Sequence, residues 1–412
     1  MSVRSILCMA MFGAGNVMAQ PCQTIASGEL LDPANWSCDC NFSQCDTLFI
    51  NHNMTGLGSY SLPNAVYTEI SPSASLMGDI EMFVAGSMVN HGTISINRLV
   101  TDVDLIPEYD TYFANHGELN SDRLILLADS TINYGNITLA DSLVVGFYRS
   151  MYNNGYTLCN NLYALGMISN TGTIIGDSII AGRELFNSGD VSCSSILKLY
   201  RYSINNGSIE ALDYSQFSGS LWNEGHININ GSTTLGVFGG IQFEQTTSGR
   251  LNTRNLYVLE NTDIRGQGSI CILEHAENHG NIIGSMQLCD LTPTLTTPPF
   301  WDVHTGTIVL TPTYCGPLAC ATVNIDERST TDTRVHPNPT AGHARITRGA
   351  DSVPVQGWMV MDSWGRTVQR GTHAPSTVVD IDLTALRSGT YWVLLIDQAG
   401  TMLERLPVVV EQ

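Results

Sequence analysis

The chain has a single lysine, Lys198, in 412 residues, and 18 basic side chains stand against 38 acidic ones, a formal charge of −20. A nucleic-acid binder needs a basic footprint to meet phosphates, so that class is excluded. The same deficit argues against a surface that seeks anionic lipid and against an enzyme that must hold uronates with cations. Charged residues make up only 14%, but hydrophobic ones reach 43%, too many for a disordered acidic chain. No segment approaches the ~20 apolar residues of a transmembrane helix. A G-x-S-x-G elbow, a P-loop, a nucleophilic Cys–His context and Asp-rich calcium repeats are all missing. No catalytic residues, metal ligands or cofactor are therefore expected.

What the sequence has in abundance is Asn-x-Gly. The triplet occurs nine times, with its glycine at 92, 117, 135, 155, 172, 189, 207, 225 and 280. Gly249, Gly268 and Gly306 close degenerate copies. Most intervals are 17 to 20 residues, with longer steps of 24 to 26 that read as loop insertions. The step from Gly268 to Gly280 is only 12, so one of these two is expected out of register. Two residues after the glycine stands a branched aliphatic in eleven of twelve copies, among them Ile174, Val191, Ile209 and Ile227, with Thr157 the exception. Polar residues alternate with these apolar ones, which is the period of a strand with one buried face.

A unit of this length cannot bury its apolar face alone, but stacked copies bury a continuous core. The expected fold is all-β: a right-handed parallel β-helix over residues 61–325, the handedness following the general rule for parallel crossovers. Glycine is expected at a positive-φ corner, with each Asn amide bonding to the Asn one coil away. Leucine-rich repeats lack support because their L-x-x-L-x-L pattern is missing. A left-handed hexapeptide helix is the competing reading, and its rhythm breaks at Val191.

Before the body, Arg4 followed by an apolar stretch and Val17-Met18-Ala19 reads as an export signal over 1–19, cleaved between Ala19 and Gln20. Residues 20–60 read as a cysteine-rich cap over the open end of the solenoid. Export implies an oxidising compartment, so Cys22, Cys38, Cys40 and Cys45 are disulfide candidates, with a zinc site the competing reading. Cys271, Cys289, Cys315 and Cys320 are late candidates, and Cys271 and Cys289 lie about one coil apart. Cys159 and Cys193 occupy equivalent places two coils apart, ~9.6 Å, beyond the reach of a disulfide, and are expected as buried thiols.

After a polar linker at 326–333, residues 334–412 read as a small antiparallel β-sandwich. Its strands are expected at 343–347, 355–362, 377–381, 390–396 and 406–410. Pro337-Asn338-Pro339-Thr340 with Gly342 opens it. Asp362 and Gly365 form a central D-x-x-G hairpin. Leu383 and Leu386 precede Gly389 and Tyr391 in an L-x-x-L-x-x-G-x-Y segment. These motifs, in this order, resemble the C-terminal sorting domain of the type IX (Por) secretion system of the Bacteroidetes. His336 stands where that family usually has an aromatic, and Arg405 represents the basic residue near the last strand. The resemblance implies recognition by the type IX machinery, passage through the outer membrane, and attachment at the cell surface or release. Seven arginines and seven acids lie from residue 334 onward, so the whole −20 belongs to residues 1–333.

Parallel β-helices often carry polysaccharide lyases and hydrolases. Only Asn261-Thr-Asp263 matches a fragment of a polygalacturonase-like site, with no Asp-Asp pair or R-I-K to follow. His91 and His116 hold one repeat position in neighbouring coils, and His279 sits in a similar triplet. They read as solvated corner residues rather than metal ligands. The expected role is a non-catalytic surface or secreted protein that contacts a glycan, a host surface or a matrix. The alternative is a carbohydrate-active enzyme with an unrecognised site.

Overall fold

The computed structural model describes the chain apart from residues 1–20, 39–44, 63–66, 102–109, 237–240, 291–299, 310–311, 316–332, 350–352, 362–366, 397–401 and 412. Strands between residues 22 and 315 pair in parallel as a β-solenoid, and those between 334 and 410 form two antiparallel sheets.

One coil shows how local sequence builds the body. Met167–Asn170 is a short strand, Asn170-Thr171-Gly172 turns the corner, and Thr173–Ala181 is a long strand. Ile168, Asn170, Ile174 and Gly176 point inward, then Ile179 and Ala181 do so after a one-residue slip. The ladder to the next coil shifts register at the same place, between Gly176 and Ser178. The long strand is thus two shorter ones joined by a bulge, which re-aims the second half so that both halves face the core. Short strands stack into one 15-stranded parallel sheet and long strands into another. Ile174, Val191, Ile209 and Ile227 are successive ladder partners, each at most 1% exposed. The apolar core runs unbroken from Cys22 to Trp301.

The Asn of each corner lies inside. Asn170 Nδ2 donates to the Gly172 and Asp190 carbonyls (3.1 Å each) and to Asn187 Oδ1 (2.8 Å), while its own Oδ1 accepts from Asn153 (2.8 Å). The same amide-to-amide bond links Asn90, Asn115, Asn133, Asn153, Asn170, Asn187, Asn205 and Asn223, and ends on Gln245. All are fully buried or nearly so. Thr157, the one polar residue among the branched aliphatics, donates to Asn153 Oδ1 (2.9 Å) and so belongs to this ladder.

The corner glycines depart from expectation in one respect: none has a positive φ. Their need is for space. A Cβ on Gly172 would stand 2.0 Å from the Gly155 carbonyl oxygen of the preceding coil, and one on Gly189 would stand 2.1 Å from that of Gly172. At the Asn-x-Gly corner the carbonyl of one coil lies against the Cα of the next, and only a missing side chain permits it.

Gly280 is the copy out of register. Asn278-His279-Gly280 follows the long strand Ser269–Asn278 and precedes the short strand Asn281–Gly284, so it turns the opposite corner. Gly306 stacks on Gly280 there, and Ile282 and Ile308 pair in the short-strand sheet.

Within residues 20–60, Cys22–Gln23 and Thr47–Ile50 join the short-strand sheet, and Gly28–Glu29 and Met54–Leu62 join the long-strand sheet. Leu30 and Trp36 close the core from this end, the indole Nε1 donating to the Leu30 carbonyl at 2.9 Å.

The C-terminal unit pairs Arg334–His336, His343–Thr347 and Val378–Asp382 in one antiparallel sheet. Thr367–Ser376, Val355–Met361, Gly389–Ile396 and Met402–Val410 form the other. Ile346, Val379 and Ile381 from the first sheet share a core with Val360, Val393, Leu395 and Val408 from the second. This is the expected sandwich, with two strands, Arg334–His336 and Thr367–Ser376, beyond those read from the sequence.

Candidate functional site

In the C-terminal unit the separated motifs meet at the last strand. Asn338 Oδ1 accepts from the Val409 amide (2.8 Å), Thr340 N donates to the Val409 carbonyl (2.8 Å), and Glu411 N donates to the Thr340 carbonyl (2.9 Å). Thr340 is buried, and its hydroxyl donates to the His343 carbonyl and accepts from Gly342 N. Gly342 has φ +128°, a conformation open mainly to glycine, and its carbonyl accepts from Leu383 N at 2.6 Å. Leu383 is buried and Leu386 packs on the same core. Gly389 pairs with Val410 and Tyr391 with Val408, and the Tyr391 hydroxyl donates to the Arg387 carbonyl (2.9 Å).

The motif residues therefore divide by role. Thr340, Gly342, Leu383 and Leu386 hold the sandwich together. Pro337, Asn338, Pro339 and Gly389 are exposed around the end of the final strand, where a recognising partner can reach them. Asp362 and Gly365 lie outside the described residues. Arg345 adds a bidentate pair with Asp380 (2.7 and 3.0 Å), which holds the Asp380 carboxyl below the usual range.

On the solenoid, the His91, His116 and Tyr134 rings stack along the corner at 4.8 and 5.0 Å. Burial, then the neighbouring His91, lowers the His116 pKa. Asp263 of the Asn-Thr-Asp triplet accepts from Asn281 (2.9 Å) and Arg265 (2.7 Å), which lower its pKa, the opposite of what a general acid needs.

A cluster that the sequence reading missed lies at the far end of the body. His275 sits between Asp302 (Nδ1 to Oδ2, 2.9 Å) and Glu277 (Nε2 to Oε1, 2.8 Å). His279 reaches the other Glu277 oxygen at 3.6 Å and Thr305 at 2.7 Å. The His275 contact is the main cause of the lowered Glu277 pKa. Asp302 also accepts from the Ala276 amide, so this network ties the chain that follows Phe300 and Trp301 to the last full coils. The spacing His-x-Glu-x-His, running from the end of a strand into the corner after it, was the signal available in the sequence.

The cysteines sort by coil. Cys22 is joined to Cys38, with Cα atoms 5.4 Å apart, and the Cys45 sulfur lies 3.7 Å from that of Cys38. The three sulfurs are within 4.8 Å of one another, but the disulfide withdraws two thiolates from any metal. Cys40 and Cys320 lie outside the described residues, as do Ala19 and Gln20.

Cys271, Cys289 and Cys315 hold one ladder position in three successive coils. Cys271 and Cys289 are adjacent, one coil apart, but the bond forms between Cys289 and Cys315 and leaves Cys271 a thiol. A loop insertion makes the later step 26 residues long and hid its being a single coil. Cys159 and Cys193 are buried thiols, separated by the coil of Gly176. Burial pushes the Cys159 thiol up to about 12.

Among the described residues no helix is long and apolar enough to cross a membrane. No curated protein and no solved structure matches the chain. Residues 334–409 match the family model of the secretion system C-terminal sorting domain, so the chain carries a type IX sorting C-terminus that marks it for export, to be secreted or held at the outer surface.

Proposed function

We propose that the solenoid is a non-catalytic contact module, a rod that the type IX machinery delivers to the cell surface or the medium for adhesion to a glycan or matrix. The observation that carries this reading is how the polar groups of the body are used. The repeated Asn amides are consumed by the internal ladder, and Asp263 is held by Arg265 and Asn281. What remains for a partner is the long outer surface. The reading is tested by incubating the mature protein with a panel of neutral and acidic polysaccharides and measuring both retention and new reducing ends. Retention without cleavage is the expected result, and sustained cleavage would overturn the reading.

A further inference from the structure

The outward side of the short-strand sheet carries a row of side chains, one per coil, in the order Ile132, Tyr152, Ser169, Phe186, Ile204 and Trp222. Their neighbours in each strand are buried, so these six face outward. Two features distinguish the row. In a body of charge −20 it carries no charge across six coils. Its aromatic rings fall on every second coil: Tyr152, Phe186 and Trp222 are ~9.6 Å apart at the spacing of parallel strands.

Two residues further along each strand, at the corner, stand Asn154, Thr171, Ser188 and Asn206, all exposed. They form a second outward row of uncharged donors and acceptors beside the rings, which ends on the acidic Glu224 at the corner after Trp222. Thr171 already bonds to Asn154 across coils (2.7 Å), so the row is spaced to bridge from one coil to the next. At its far end Trp222 is oriented by a bond from Nε1 to Glu224 Oε1 (3.0 Å).

We infer that this face binds an uncharged β-1,4-linked polysaccharide lying along the solenoid axis. Such a chain, when extended, turns the same ring face toward one side at every second sugar, an interval close to two coils. The C–H face of a pyranose stacks on an aromatic ring, and its hydroxyls need neutral donors and acceptors at the edge. Both are present here in register. The absence of charge from the ring row fits a neutral polymer, and the acidic body repels a uronate-bearing one. The inference rests on the contact-module reading and names its ligand class.

The test is affinity electrophoresis of the folded protein through gels containing hydroxyethylcellulose, glucomannan or xylan, with polygalacturonate as the charged control. Retardation by at least one neutral polymer and none by polygalacturonate is expected. Trp222→Ala and Phe186→Ala should each weaken binding roughly tenfold, the loss typical of a truncated aromatic anchor. Tyr163→Ala removes an exposed ring of the other sheet and should leave binding unchanged. All three positions face outward, and an unchanged melting temperature confirms intact folding. Retardation by none of the neutral polymers, equal retardation by polygalacturonate, or binding insensitive to Phe186 and Trp222 would overturn the inference. So would loss of self-association in the ring variants by sedimentation, which would make a second copy the occupant. None of these failures touches the sorting tail, and cleavage of a bound polymer would count against the contact-module reading rather than against the ligand.

Discussion

Replacing Asn170 by alanine tests the internal ladder at its middle. The carboxamide makes three donor bonds and accepts one, all in a site with no solvent access. Asn153 keeps its bonds to the Gly155 and Thr173 carbonyls but loses its acceptor on residue 170. Asn187 Oδ1 loses the donor that meets it, and the Asp190 carbonyl loses the amide. At ~1–3 kcal/mol for the buried Asn187 oxygen left unpaired, with ~0.5–1.5 kcal/mol for each further hydrogen bond lost, the cost is about 2–6 kcal/mol. Asn154→Ala, one turn of the same corner away but exposed, should stay within about 0.5 kcal/mol. Asn170→Asp keeps the shape but sets a carboxylate against the oxygens of Gly172, Asn187 and Asp190. At neutral pH it should cost at least as much as alanine. Urea unfolding followed by circular dichroism reads the global effect. Amide exchange across residues 150–190 shows whether the loss is local, as a nearest-neighbour stack requires. Equal midpoints for the Asn170→Ala and Asn154→Ala proteins would refute the ladder as a source of stability.

Further outcomes follow from the same coils. Gly172→Ala drives a methyl to 2.0 Å from the Gly155 carbonyl and should destabilise by more than the ~1 kcal/mol that glycine normally gains on becoming alanine in a permissive site, with the opposite sign. Cys159 and Cys193 should resist iodoacetamide in the native protein and react fully in urea. Because burial raises the Cys159 thiol from 9.0 to about 12, the unfolded chain ionises first, so stability should fall as pH rises across that window. In Cys315→Ser, the freed Cys289 should bridge to its other ladder neighbour, Cys271. Non-reducing peptide mapping detects this, and a persistent pair of free thiols would contradict the register.

Much of this fold was legible because the repeat is short and its chemistry local. Asn-x-Gly followed by an alternating strand specifies a corner and a buried face, and Ile174 through Ile227 take the places it implies. The reason for the glycine was not legible. Lack of space for a Cβ and need for a positive φ leave the same residue in the sequence, and only the neighbouring coil tells them apart. Asn278-His279-Gly280 shows the related limit: one triplet serves two corners, and only an interval of 12 residues betrayed the change.

Surface features were less legible still. Tyr152, Phe186 and Trp222 are 34 and 36 residues apart and become a row only after the coils are stacked. The network of His275, Glu277, His279 and Asp302 likewise depends on a chain return from 26 residues on. The sorting motifs were legible as separate words, whereas their meeting at Val409 and Val410 needs the sandwich.

The C-terminal unit carries the central claim, that this chain is exported by the type IX route. In a host with a working type IX system, the full chain and a chain ending at residue 333 should be compared by fractionation and by protease accessibility of intact cells. The full chain should appear at the surface or in the medium, and the shortened chain should accumulate inside the outer membrane, protected from protease. Normal surface exposure or release of the shortened chain would contradict it.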